Sequence, residues 1–203
     1  MKKRGFTLAE VLITLGIIGV IASITLPSLM TDTTSAQIGP KLAKAVSMFE
    51  QANESLLNAN SIDALSDGAL LASVGSYTTE LSRYLKITPV TGGYLSKDGM
   101  LYSITISDAN PSNTADPAYR QRVGNVMIDI NGSSKPGEAG TDIFYFSFWN
   151  DGSLRPKGGA DWEPGGETWQ VHCPKAEDGT PTLEGYDFCA GHVFENNLKV
   201  LYR

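Results

Sequence analysis

The first thirty residues, MKKRGFTLAEVLITLGIIGVIASITLPSLM, constrain everything that follows them. Lys2, Lys3 and Arg4 precede Gly5, and a nearly unbroken apolar run extends from Phe6 to Met30. A helix needs roughly 20 such residues to cross the hydrocarbon core of a bilayer. The run carries one charge, Glu10, near its start. A carboxylate in that setting costs on the order of 2.5–3.5 kcal/mol on insertion scales, so it marks a function and calls for a partner. A secretory signal fits less well, because its apolar core should span roughly 7–15 residues and end at a small-residue cleavage site. A plain signal-anchor whose glutamate snorkels to the interface accounts for the length but for neither Gly5 nor Phe6.

Arg4-Gly5-Phe6-Thr7-Leu8-Ala9-Glu10 followed by an apolar helix resembles the leader and cleavage site of the type IV pilin and type II secretion pseudopilin superfamily. The resemblance implies that a prepilin peptidase cuts after Gly5 and methylates the new N-terminus at Phe6. It makes Glu10 the fifth residue of the mature chain and places Pro27 where family members often carry a helix proline. The likeness covers about the first fifty residues.

The charges give this a physical reading. Cleavage after Gly5 creates an α-amine four residues from Glu10. If helices pack side by side with a stagger, the amine of one chain neutralises Glu10 of its neighbour. A buried carboxylate is far cheaper paired than alone, so Glu10 would favour assembly and set its register.

The chain has 203 residues, with 16 Lys and Arg against 22 Asp and Glu. Removing the three leader cations leaves 13 against 22, about −9 before the new amine is counted. That balance argues against a broad nucleic-acid footprint, although DNA uptake by a pilus is not excluded by it. About 170 residues follow the apolar run, enough for one modest domain. The basic leader should stay cytoplasmic, which sends the C-terminal domain across the membrane. In such an oxidising compartment Cys173 and Cys189 read as a disulfide stapling a loop, worth roughly 3 kcal/mol. The rival is a zinc site using the adjoining His172 and His192.

Farther along, Ile38, Leu42, Val46, Phe49 and Leu56 recur at helical spacing, so the helix should continue past Pro27 to about Asn58–Ser61, with kinks at Pro27 and Gly39-Pro40. Residues 62–76 read as a loop with room for one turn of helix, and 77–87 as a short helix stopped by Pro89. The period then changes to two. Met100–Ile106, Val123–Ile130 and the aromatic Asp142–Trp149 read as strands. Asn150-Asp151-Gly152 is a hairpin turn returning through Ser153–Pro156. Ser107–Tyr119 and Lys157–Gly185 are loop-like, and Ala190–Tyr202 fits a short helix or a final strand. The expected fold class is α+β: a long N-terminal helix packed on three or four antiparallel strands, with a stapled C-terminal loop. The expected divisions are 1–5 leader, 6–30 membrane helix, 31–60 amphipathic half and 61–203 head.

Asp129-Ile130-Asn131-Gly132, with Asp142 ten residues on, offers oxygen donors and a turn glycine of the kind calcium sites use. The EF-hand pattern is not met, since its last position would be Gly140. Pseudopilins of the major type are similar in holding calcium here, and Gly140–Phe144 with Asn150–Gly152 also resembles that group. Asp129, Asn131 and Gly132 read equally as turn residues. No other cofactor is expected. Two histidines, both beside cysteines, and the absence of hydrolase or phosphate-loop motifs argue against an enzyme.

The sequence thus reads as a filament subunit. Its expected partners are a prepilin peptidase, identical or related pilin subunits, an inner-membrane assembly platform and the membrane itself. Its expected place is the inner membrane, single-pass, with the C-terminal domain periplasmic or extracellular. Type II secretion is the favoured use. Adhesion, motility or DNA uptake by a type IV pilus is the alternative, and a membrane-anchored binding domain that never polymerises is a third.

Overall fold

The structure, a computed structural model, describes residues 7–110, 121–132, 137, 139–159 and 189–198, excluding the side chains of 26–36. The leader, Cys173 and the loop-like stretch around it lie outside the described residues. The chain divides into two units, Met1–Gln37 and Ile38–Arg203, and the boundary falls within one helix.

That helix, α1, runs from Leu8 to Asn60. In the first unit its apolar side chains are uncovered: Leu8, Leu12, Ile13, Val20 and Ile24 are all exposed. In the second unit the same helix is amphipathic. Ile38, Leu42, Ala45, Phe49, Ala52 and Leu56 form a buried stripe at spacings of three and four. Gly39 has a packing role, because a Cβ there would run into the main-chain carbonyl of Leu198.

After α1 the chain takes two 3₁₀ turns, Leu65–Gly68 and Leu70–Ala72, and a short helix α2, Val74–Leu81. Ser73 caps α2, its hydroxyl accepting from Ser76 N–H at 3.0 Å. Six strands follow among the described residues: β1 (Ile87–Val90), β2 (Gly93–Ser96), β3 (Leu101–Ile106), β4 (Arg122–Asp129), β5 (Ile143–Trp149) and β6 (Leu154–Pro156). They pair antiparallel in sequence order as one meander. The last described element is helix α3, Cys189–Glu195.

The sheet exceeds the three or four strands expected. The addition is the β1–β2 hairpin, closed at Thr91-Gly92 with Gly92 at φ +91°. Pro89 had suggested a helix stop with no strand beyond it. β1 is the edge of the sheet, and an edge strand tolerates a residue that cannot donate to the ladder. α2 accordingly ends at Leu81, short of the expected 87. The other strands and the β5–β6 turn lie close to where alternation put them.

Alternation also sorts the faces. Tyr102, Ile128 and Phe144 stand in one cross-strand row, and Ile104, Val126 and Phe146 in the next, all buried beneath α1. Phe49 of α1 stacks on Tyr102 (centroids 5.9 Å) and meets Phe148 edge-on (5.5 Å). At the β4 bulge between Arg122 and Gly124, a Cβ on Gly124 would strike the Thr105 carbonyl, so only glycine fits.

Candidate functional site

α1 starts with a reciprocal cap. Thr7 N–H and Thr7 Oγ1 both donate to Glu10 Oε2 at 2.8 Å, and Glu10 N–H approaches Thr7 Oγ1 at 3.3 Å. This is a capping box, Thr-x-x-Glu, in which two orphan groups of a helix start satisfy each other. Sequence reading missed it by treating Glu10 only as a charge, although Thr7-Leu8-Ala9-Glu10 carries the signature. Glu10 therefore has a partner inside its own chain. A carboxylate offers about four lone-pair sites, so a bond to Thr7 and an ion pair with a neighbour are compatible.

Beyond the cap, Leu8–Thr25 is an 18-residue apolar stretch with no part of it buried. At 1.5 Å per residue it spans about 27 Å, close to the hydrocarbon thickness. Its hydroxyls stay within the helix: Thr14 Oγ1 donates to the Glu10 and Val11 carbonyls, and Ser23 Oγ to that of Val20. Such back-bonding hides polar groups that lipid cannot satisfy. A Cβ added at Gly16 or Gly19 would meet nothing within 4 Å, which leaves a face free for another helix backbone.

Gly5 and Phe6 fall outside the described residues. Pro27 sits within α1, with its side chain outside the description. The three oxygen-bearing residues of the head do come together. Asn131 Nδ2 donates to Asp142 Oδ2 at 2.6 Å, while the N–H groups of Asn131 and Gly132 donate to Asp129 Oδ1 at 3.0 and 2.9 Å. Burial chiefly pushes the Asp129 carboxyl above its ordinary value, and the neighbouring Asp142 charge adds to the shift. The donors are right in kind for calcium but fewer than the six to eight oxygens it takes. Among the described residues no group of three His, Cys, Asp or Glu could hold a metal.

Cys189 is buried at the start of α3, and its expected partner Cys173 lies outside the described residues. His192 is buried in α3, and burial lowers its pKa against the opposing pull of Glu195. The other half of the zinc alternative, His172, also lies outside.

Sequence reading missed the joint that holds α1 to the head. Tyr77 Oη donates to Asn53 Oδ1 at 2.6 Å, and Asn53 Nδ2 donates to the Phe49 and Gly152 carbonyls at 3.1 and 3.2 Å. One turn back, Glu50 Oε1 accepts from Leu154 N–H at 2.9 Å. An asparagine amid an apolar stripe was the only signal.

Fold and site together define a class: an α+β protein whose uncovered N-terminal helix is long and apolar enough to cross a membrane. Residues 1–26 match the family described as the prokaryotic N-terminal methylation motif. This motif is the hallmark of type IV pilin and pseudopilin precursors. No solved structure matches the chain.

Proposed function

We propose that this chain is a structural subunit of a pseudopilus, cut by prepilin peptidase after Gly5, methylated on Phe6 and polymerised through α1. The observation that carries the proposal is the Leu8–Thr25 segment: apolar, wholly uncovered, bearing one acid, and lying within the matched methylation motif. An uncovered apolar helix needs either lipid or other helices around it. Lipid receives it before assembly, and neighbouring copies receive it afterwards. The new Phe6 amine of one copy would then meet Glu10 of the next, and Pro27 would let the helix adapt to that packing. The head would stand on the far side of the inner membrane, with an assembly platform gathering the subunits.

Use in type II secretion is favoured by the resemblance of Gly140–Phe144 and Asn150–Gly152 to secretion pseudopilins. A type IV pilus is the second reading, and the two part on phenotype. Deleting the gene should block release of folded exoproteins under the first, and piliation, motility or DNA uptake under the second.

Two further features belong to this proposal. A Cys173–Cys189 disulfide would anchor the loop before α3, supported by the burial of Cys189 and by the oxidising compartment. Calcium would be held by Asp129, Asn131 and Asp142, supported by their convergence on one turn.

Mass spectrometry of the mature protein tests the processing step. A chain beginning at N-methyl-Phe6 is expected, and one beginning at Met1 refutes it. Electron microscopy of wild-type and Glu10→Ala cells tests polymerisation. Filaments are expected only in the former, with both proteins inserted in the membrane.

A further inference from the structure

The two flanks of the head half of α1 carry opposite charge. At about 100° per residue, Lys41, Lys44, Met48, Gln51 and Ser55 share one flank, while Glu50 and Glu54 share the other. On the basic flank a groove of about 540 Å³ opens between α1, the segment after α2 and the β2–β3 turn. Met48, Ala52 and Leu85 contribute apolar walls, and Arg83, Lys86 and Lys97 supply cations.

Lys86 and Lys97 are the unusual pair. Lys97 N–H donates to the Lys86 carbonyl at 3.2 Å, which places them directly opposite each other at the base of the β1–β2 hairpin. Like charges facing across a ladder are destabilising. Both side chains are exposed, and no ion pair among the described residues involves either. The nearby acids are already engaged: Asp98 pairs with Lys44 at 2.7 Å and Glu80 with Arg83 at 3.0 Å. In a chain of net charge −6, this groove concentrates positive charge that the rest of the sequence is short of.

The complement lies elsewhere on the same head. Leu65 N–H donates to the Asn150 carbonyl, and Ser66 N–H to Asn150 Oδ1, both at 2.9 Å. These bonds draw the 63–67 turn and the β5–β6 turn together, so the exposed Asp63, Asp67 and Asp151 gather at one end. Asn53, which holds the β5–β6 turn through Gly152, lies on the far side of α1 from the groove-lining Gln51 and Ser55.

We infer that the Arg83–Lys86–Lys97 groove of one copy receives the acidic Asp63–Asp67–Asp151 turns of the next. The two surfaces are distinct, so the contact is head-to-tail, and a head-to-tail contact that does not close propagates as an open helix. The inference rests on the polymer reading and adds a second contact to it, in the aqueous layer. Being exposed and ionic, this contact weakens with salt, whereas helix packing in lipid does not.

The test uses full-length filaments assembled from equal amounts of ¹⁴N- and ¹⁵N-labelled subunits, coupled with a zero-length carbodiimide and read by mass spectrometry. Mixed-isotope peptides joining Lys86 or Lys97 to Asp63, Asp67 or Asp151 are expected. The K86E/K97E double variant should lower filament yield at least about tenfold, since like charges would then face each other. Adding D63K and D67K to that variant should restore the yield. Wild-type filaments without these cross-links, or a charge swap that restores nothing while the monomer stays folded, overturn the inference and leave polymerisation through α1 standing. Wild-type protein that forms no filaments after leader cleavage overturns both. Lysines shielded instead by phosphatidylglycerol vesicles or by DNA also overturn it.

Discussion

Glu10 accepts two hydrogen bonds at 2.8 Å from Thr7, one from its main-chain N–H and one from its hydroxyl. The residue whose charge the polymer proposal pairs with a neighbouring chain is thus also the residue that caps the start of the helix. A single alanine substitution removes both roles, and two gentler changes separate them. Glu10→Gln keeps an oxygen that can accept from Thr7 and discards the charge. Thr7→Ala discards the hydroxyl and keeps the charge. Filament counts should fall for Glu10→Gln about as far as for Glu10→Ala, and far less for Thr7→Ala. Equal losses in Thr7→Ala and Glu10→Gln would shift the role of Glu10 from ion pairing to capping.

Tyr77 is fully buried and gives its hydroxyl proton to Asn53, which is fully buried as well. Tyr77→Phe leaves the ring in place and strands the Asn53 carbonyl oxygen. Leaving a buried acceptor without its donor costs about 1–3 kcal/mol. Urea unfolding should show that loss as a lower midpoint with an unchanged slope. A midpoint within error of wild type would mean that water or a shifted side chain replaces the phenol.

Burial, with a smaller push from the Asp151 charge, holds the half-buried Glu50 carboxyl above its ordinary pKa, against the hydrogen bond from Leu154 that favours the ionised form. A carboxyl raised on folding binds its proton more tightly in the folded state. Its contribution to stability is therefore complete below the unfolded pKa and is lost as pH rises through the folded one. Glu50→Gln keeps an acceptor for Leu154 and removes this dependence. Relative to wild type, the variant should gain stability as pH rises from about 4 to about 7, checked by thermal unfolding across that window.

If the Asp129–Asn131–Asp142 turn holds calcium, millimolar calcium should raise the melting temperature of the wild-type chain. Magnesium should do so less, because it resists giving up its waters for a flexible oxygen site. Asp142→Asn should abolish the calcium response. A melting temperature indifferent to calcium would leave the turn as a hydrogen-bonded corner and nothing more.

The parts of this fold that follow a period were legible in the sequence. The amphipathic half of α1 and the strands β3, β4 and β5 announce themselves because a buried face repeats every three to four residues or every second one. The β1–β2 hairpin was hidden by Pro89 and by its own exposure, since an edge strand with three of four residues facing solvent has no apolar alternation to read. At the site, the isolated charge of Glu10 was plain, but the Thr7 cap was overshadowed by it. Asn53, Tyr77 and Glu50 escaped because their partners lie up to 104 residues away, and polar pairing over such distances leaves no spacing signature. The basic groove escaped for the same reason, since its cations come from two separate segments and its far wall from α1.

The single helical turn from Glu50 to Asn53 ties together three segments that follow one another far along the chain: α2 through Tyr77, the corner at Gly152 and β6 through Leu154. Fraying that turn would free all three at once, which couples their opening. Mechanical load along the helix would then meet one cooperative threshold rather than a series of small yields, which is what extrusion as a filament subunit, as proposed, would ask of the head.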